Sequence, residues 1–299
     1  MRTLLLGEAL VDLICERPVS SLGEADAFVP HFGGSVANVA VGAARQGATV
    51  ELAGGAGADA WGAWLRERLE RERVGLEFFS TIDGIVTPVA FVTVDTDGEP
   101  SYAIYGDSIQ AAIASLEDRI VEATDACGAL FLTSNTLVGE AERAISAAAG
   151  ERALAEGKPV VFDPNLRLHR WESAGRAAAE AREYVKDAFL VKLNAEEARV
   201  LSGEDDPRAA AEGLLAAGAR HVVITLGAAG AILRGGGLKL DVKGVDADPV
   251  SAVGAGDAFM GVVLGRLSGT DFYPPAIAAA LPDAVCEGAR AVERWGAVA

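Results

Sequence analysis

Short apolar runs alternate along this chain with helix-length segments, and that alternation constrains the fold more than any single motif. Residues 3–6, 49–53, 129–133, 159–162, 189–193 and 221–226 read as strands. Between them, helices are predicted over 60–72, 138–156, 174–186, 195–201 and 207–217, the first with Asp59 as N-cap. A strand–helix–strand order of this kind yields an α/β fold with a mostly parallel sheet and helices on both faces. Ligands of such sheets bind beyond the carboxyl ends of the strands.

Two regions break the rhythm. Residues 88–95 and 101–105 are strand-like and flank Asp97-Gly98, a hairpin signal. With residues 27–32 they predict a small β-sheet standing off the main body. A strand at 9–14 carries Asp12, read either as a ligand contact at a sheet edge or as an outward-facing strand acid.

Composition narrows the function classes. The 299 residues are 51% hydrophobic, enough for one large α/β domain or two small ones, and a single domain over 1–299 is expected. The formal net charge of −17, without a basic cluster, argues against nucleic acid as a partner. No apolar stretch approaches the roughly 20 residues of a membrane span. Glu8 comes too early for a signal peptide, and Cys15, Cys127 and Cys286 are odd in number and far apart, so reduced thiols in the cytoplasm are expected.

The chemistry concentrates at strand ends and glycine-rich turns. Gly254-Ala255-Gly256-Asp257 precedes an apolar run, 258–267, that reads as a buried helix with Gly261 and Gly265 permitting close packing. Free amides at a helix start favour an anion. Asp257 there is either a base that takes a proton from an attacking hydroxyl or an ordinary N-cap. Phe32-Gly33-Gly34-Ser35 turns into a second small-residue helix ending at Gly47, with Asn38 one turn in as a buried amide that a substrate hydroxyl would satisfy. Arg167, in Asp163-Pro164-Asn165-Leu166-Arg167, suits an anion clamp. Asn194 and Glu197 fall on one face of a helix start, fitting either a hydrated magnesium or a helix cap. Thr225-Leu226-Gly227 ends a further strand. The P-loop, the zinc-protease helix motif, the Cys-x-x-Cys pair and the dinucleotide fingerprint are absent. His31, His169 and His221 occupy no nucleophile arrangement and read as surface or lid residues.

Taken together, Gly33-Gly34-Ser35-Val36-Ala37-Asn38 and Gly254-Ala255-Gly256-Asp257-Ala258-Phe259 resemble the two signatures of the ribokinase-like (PfkB) sugar kinases. Gly57-x-Asp59-x-x-Gly62, Asp163-Pro164-Asn165, Asn194-x-x-Glu197 and Thr225-Leu226-Gly227 lie between them in the family's order. The resemblance implies a ribokinase-like three-layer fold with a β lid, from segments at about 13–32 and 86–106, over the sugar. It implies ATP and Mg2+ as cofactors, a small sugar as acceptor, and Asp257 as base, with the amides of Gly254, Ala255, Gly256 and Asp257 as the anion hole. Asp12, Gly33, Gly34, Asn38, Tyr105 and Arg167 would line the sugar site. Asn194, Thr225, Gly227, Gly254 and Gly256 would meet the nucleotide, and Asn194 with Glu197 would arrange the magnesium waters. Within the family the hairpin and the 163–171 segment look most like fructokinases and 2-keto-3-deoxygluconate kinases. A ketohexose such as fructose ranks first, ketodeoxygluconate second and a nucleoside third, with a non-enzymatic sugar or nucleotide sensor as the reading from another class. Gly106 stands where ketodeoxygluconate kinases tend to have arginine, leaving Arg167 as the expected cationic contact for an acid sugar. Ser251-Ala252-Val253 replaces the family's common Asp-Thr-x, which puts a monovalent-cation requirement in question. Related kinases often pair their lids, so a homodimer through the β lid is expected.

Overall fold

The protein is described by a computed structural model over residues 1–298. In chain order the strands are β1 (Thr3–Leu6), β2 (Leu10–Pro18), β3 (Val29–Gly33), β4 (Val50–Gly57), β5 (Phe79–Ile82), β6 (Val89–Val94), β7 (Pro100–Ile104), β8 (Ala129–Thr133), β9 (Val160–Asp163), β10 (Leu190–Asn194), β11 (Val222–Thr225), β12 (Gly230–Gly235) and β13 (Leu238–Lys243). The helices are α1 (Ser35–Arg45), α2 (Ala60–Arg71), α3 (Ser108–Ala114), α4 (Ile120–Asp125), α5 (Glu140–Ala155), α6 (Ala174–Glu183), α7 (Ala195–Ser202), α8 (Pro207–Ala216), α9 (Ala255–Gly269) and α10 (Pro275–Val292).

The larger sheet has nine strands in the order β13-β12-β11-β10-β9-β8-β1-β4-β5. It is parallel from β11 to β5, and β12 and β13 close one edge as an antiparallel hairpin. Successive side chains of a strand point to opposite faces. Leu4 and Leu6 accordingly enter one core cluster and Leu5 the other, all without exposure. The first cluster takes side chains from α5 to α8 and the second from α1, α9 and α10. That is why the central strands read as unbroken apolar runs rather than as alternating ones.

Helix α9 is apolar nearly all round because it is buried nearly all round. It lies against α1 with backbone on backbone. A Cβ on Gly261 would stand 2.8 Å from Gly42 Cα, and one on Gly265 would meet Gln46 Cβ at 2.5 Å. The two helices therefore form one rigid unit, and each carries residues of the site described below.

The smaller sheet runs β3-β2-β6-β7. Strand β2 is longer than the predicted 9–14 and belongs wholly to this sheet, pairing with β3 and β6. The carbonyl of Gly98, at the β6–β7 tip, accepts a hydrogen bond from the Ala252 amide (2.8 Å), which fastens the lid to the loop ahead of α9. The predicted 138–156 helix runs over 140–155 as α5, and a short 3-10 turn, Ser134–Thr136, precedes it. The placement of His221 is a correction. It is 4% exposed at the sheet, not on the surface or lid, and its Nδ1 meets the Phe189 carbonyl at 2.7 Å. Among the described residues no helix is long and apolar enough to cross a membrane.

Candidate active site

Asp257 is the centre of the charged groups between the two sheets. Gly254 adopts φ 76° and serves as N-cap of α9, a left-handed conformation that glycine takes without strain. The Ala255 amide bonds to Ala252 (3.3 Å) and that of Ala258 to Gly254 (2.8 Å), so the Gly256 and Asp257 amides lack a backbone acceptor at the positive end of a buried helix. Asp257 is not the cap. Its carboxylate is 9% exposed and accepts from Ser35 Oγ (2.7 Å) and Asn38 Nδ2 (2.9 Å), both on α1. Asn165 Nδ2 in turn donates to Ser35 Oγ. Burial pushes the Asp257 carboxyl above the ordinary range, while Asn38, Ser35, Arg167 and Lys192 pull it down.

Two cavities meet at Asp257. The inner one is small, about 40 Å³, beneath Tyr102 and Ile104 of the lid, and its wall includes Glu8, Asp12, Gly34, Asn38, Arg167 and Arg170. Asp12 is 4% exposed, so the outward-facing alternative does not hold. Burial and the neighbouring Asp257 push its carboxyl up to about 8. Gly33 lies outside the cavity wall but sets this position, since a Cβ there would stand 2.3 Å from Asp12 Oδ2. Asn38 Oδ1 is buried without a partner and faces the same space, as expected for a group that a ligand completes.

The outer cavity, about 640 Å³, runs from the lid hairpin past Arg167 to Asn194, Thr225, Gly254 and Gly256. Glu197 and Asn194 form a capping box: Glu197 Oε2 accepts from the Asn194 amide (2.9 Å), and Asn194 Oδ1 from the Glu197 amide (2.8 Å). Glu197 Oε1 also takes the Leu166 amide (2.8 Å). The capping reading of this pair is therefore the one the geometry bears out locally, yet both residues line the cavity. Among the described residues no three His, Cys, Asp or Glu converge as a metal cage. A metal that keeps its waters and is bound chiefly by phosphates fits this donor set; one held directly by the protein does not.

Four expected site residues line neither cavity: Gly33, Ala255 (whose amide is taken up by the Ala252 carbonyl), Tyr105 and Gly227. Tyr105 is 63% exposed and lines a separate groove with Phe91 and Gly106. Side chains alternate along β7, so Tyr102 and Ile104 face the inner cavity and Tyr105, just beyond the strand, faces away. Gly106 shares that outer groove, so its replacing an arginine does not decide the charge of the inner cavity. Gly227 opens a 3-10 turn after β11 and lies outside the outer cavity's wall.

Several residues escaped the sequence reading. Lys192, 6% exposed, reaches Asp163 Oδ2 at 2.9 Å, and its Nζ would be 3.1 Å from a Cβ on Gly256. A lysine inside an otherwise apolar strand was the available signal. Arg170 and Asn135 join the inner wall, and Arg167 stacks on Tyr102, 4.8 Å from the ring centre. Nothing in local sequence marks these two as neighbours of Asp257.

The pfkB family carbohydrate kinase model matches residues 2–281. Probable fructokinase-7 of Arabidopsis thaliana is 31% identical over 266 residues, covering 88% of this chain and 77% of its own. A double mutant of the Vibrio cholerae O395 fructokinase, in its fructose, ADP and potassium ion bound form, superposes with a TM-score of 0.85 at 29% identity, covering 99% of this chain and 93% of its own. Aminoimidazole riboside kinase from Salmonella enterica, complexed with aminoimidazole riboside and an ATP analogue, gives 0.84 at 25%, covering 99% and 95%. The chain belongs to the pfkB family of carbohydrate kinases.

Proposed function

We propose that the protein transfers the terminal phosphoryl group of ATP to a hydroxyl of a neutral ketohexose, fructose first among them. The observation that carries this reading is the position of Asp257: one buried carboxylate, fixed by two donors, faces a small pocket beneath the lid on one side and a helix start with open amides on the other. The acceptor hydroxyl attacks the terminal phosphorus, its proton passes to Asp257, and ADP leaves. The Gly256 and Asp257 amides and Lys192 stabilise charge on the transferred group, and positioning supplies much of the rate. Magnesium, when bound with the nucleotide, neutralises phosphate charge, and Asn194 and Glu197 would hold it through water.

The choice of a neutral sugar rests on the inner wall, where Glu8, Asp12 and Asp257 face Arg167 and Arg170. Glu8 and Asp257 balance Arg167 and Arg170, and the Asp12 carboxyl, pushed up to about 8, adds no positive charge, so the wall offers an acid sugar no net cationic attraction and fructose ranks ahead of 2-keto-3-deoxygluconate. The Vibrio fructokinase relative is described with fructose bound. A nucleoside acceptor is the second reading, favoured by the aminoimidazole riboside bound to the Salmonella neighbour. A panel of sugars and nucleosides with ATP, read by ADP release, tests the proposal. Ketohexoses should give the highest kcat/KM, and preference for ketodeoxygluconate or a nucleoside by tenfold or more would overturn the order. Turnover of no acceptor would leave the non-catalytic sensor.

The outer lid groove carries Val86 and Tyr105, 68% and 63% exposed, beside Phe91. We assign it to a homodimer, because exposed apolar sheet faces of this kind mark interaction surfaces. A monomer at micromolar concentration by light scattering would contradict that assignment.

A further inference from the structure

Glu8 follows β1 at the carboxyl end of the sheet, 4% exposed, in the wall of the inner cavity. One of its oxygens is fully employed. Oε1 accepts from the Ser35 amide at the start of α1 (3.0 Å) and from Asn135 Nδ2 (3.1 Å). The other, Oε2, is buried and has no partner. Asn135 also ties in Arg170, whose Nη1 donates to the Asn135 carbonyl at 3.1 Å. Glu8, Asn135 and Arg170, distant in sequence, thus form a connected stretch of the inner cavity's wall.

We propose that Glu8 and Arg170 form a hydroxyl-recognition subsite of the acceptor pocket, with Glu8 Oε2 accepting from one substrate hydroxyl and Arg170 donating to the same or a vicinal one. This rests on reading the inner cavity as the acceptor pocket for a polyol. The plainer role, a cap on α1, accounts for Oε1 and leaves Oε2 unexplained. A buried carboxylate oxygen without a donor is costly, and a hydroxyl arriving with the substrate supplies the missing donor. A neutral diol fits: it offers a proton to the glutamate and a lone pair to the arginine. A substrate carboxylate at this wall would meet Glu8 with like charge.

Glu8→Gln separates the two roles. The amide oxygen still accepts from Ser35 and Asn135, so the cap and the side-chain volume survive, but the second position becomes a donor. The KM for the ketohexose and its dissociation constant by calorimetry should rise roughly tenfold or more, the scale of one charge-assisted hydrogen bond. The KM for ATP should change less than about twofold and Tm by no more than about 2 °C, because neither nucleotide contact nor cap is lost. A deoxy-ketohexose series adds the finer readout. For the analogue lacking the hydroxyl that faces Glu8, the wild type should lose about tenfold and Glu8→Gln should lose little, since the partners are then already uncoupled. Should Glu8→Gln fail to fold, Arg170→Met must give the same acceptor-selective pattern. Unchanged acceptor affinity in both variants, or a fall in Tm with all kinetic constants moving together, would reduce Glu8 to a helix cap and overturn the proposal. A wild type that turns over no polyol would remove the pocket assignment itself, a result distinct from a wild type that works and variants that match it.

Discussion

Gly261→Ala tests whether the α1–α9 contact sets the geometry of the site. The added Cβ would stand 2.8 Å from Gly42 Cα, 3.1 Å from Gly42 C and 3.3 Å from Ala43 N, all backbone atoms that cannot swing aside. Carbon atoms prefer separations of about 3.5–4.0 Å, so the helices must part by roughly 0.7–1.2 Å. Overpacking of this kind costs about 1–3 kcal/mol. At roughly 2–4 °C per kcal/mol for a chain of this size class, Tm should fall by about 2–12 °C. The larger consequence lies at Asp257, because its two donors, Ser35 and Asn38, stand on α1 while the carboxylate stands on α9. A displacement approaching 1 Å costs up to ~10²-fold in rate when it disturbs an aligned reacting group. Differential scanning calorimetry and steady-state kcat on the same preparation read both effects. Gly269→Ala is the control: it lies on the same helix with nothing within 4 Å of the added Cβ, and it should leave kcat unchanged and hold or raise Tm. A Gly261→Ala enzyme with wild-type kcat and Tm would refute the claim that this contact positions the base.

The remaining predictions concern charge. Ser35→Ala and Asn38→Ala each remove a donor to the Asp257 carboxylate, so the acid limb of kcat against pH should move to higher pH in both; an unmoved limb would separate these bonds from the base. The Asp12 carboxyl is raised from 3.8 to about 8, so the native chain retains a proton there that the unfolded chain releases; this contribution to stability is full below about pH 4 and lost as pH rises through 8. Tm of the ligand-free wild type should therefore fall more steeply than that of Asp12→Asn between pH 6 and 9, and parallel curves by scanning calorimetry would contradict the assignment. Ser251 is fully buried, its Oγ accepts from the Val253 amide (3.2 Å), and the Val292 carbonyl already takes two amides, so potassium should change turnover little at constant ionic strength. Several-fold saturable activation by millimolar potassium would show that a cation site persists.

The main sheet was legible because its strands are buried on both faces and its helices carry ordinary start and stop signals, such as Asp59, which accepts from the Gly62 amide, and Gly47 at φ 86°. The 275–292 helix was not read, and it contains Pro282, a residue that argues against helix in isolation. At the site, glycine turns and strand-end polar residues were visible as local patterns, and Asp12, Asn38, Arg167, Asn194, Thr225 and Asp257 do line the two cavities. Tyr105 was misplaced because a one-residue shift along a strand exchanges faces, and the sequence does not fix that register. Glu8, Asn135 and Arg170 were missed for a different reason: each is an ordinary polar residue locally, and only the parallel order of β1, β8, β9 and β10 brings them, with Lys192, to one end of the sheet.

The central claim is that Asp257 removes the proton from the acceptor hydroxyl. Its direct measurement is single-turnover phosphoryl transfer by Asp257→Asn, with acceptor and ATP binding followed separately by calorimetry. The side chain keeps its shape, so both ligands should bind within a few-fold of wild type, while the transfer rate should fall by roughly 10²-fold or more, the scale of general-base loss. A transfer rate near that of the wild type, with both ligands bound, would contradict the mechanism.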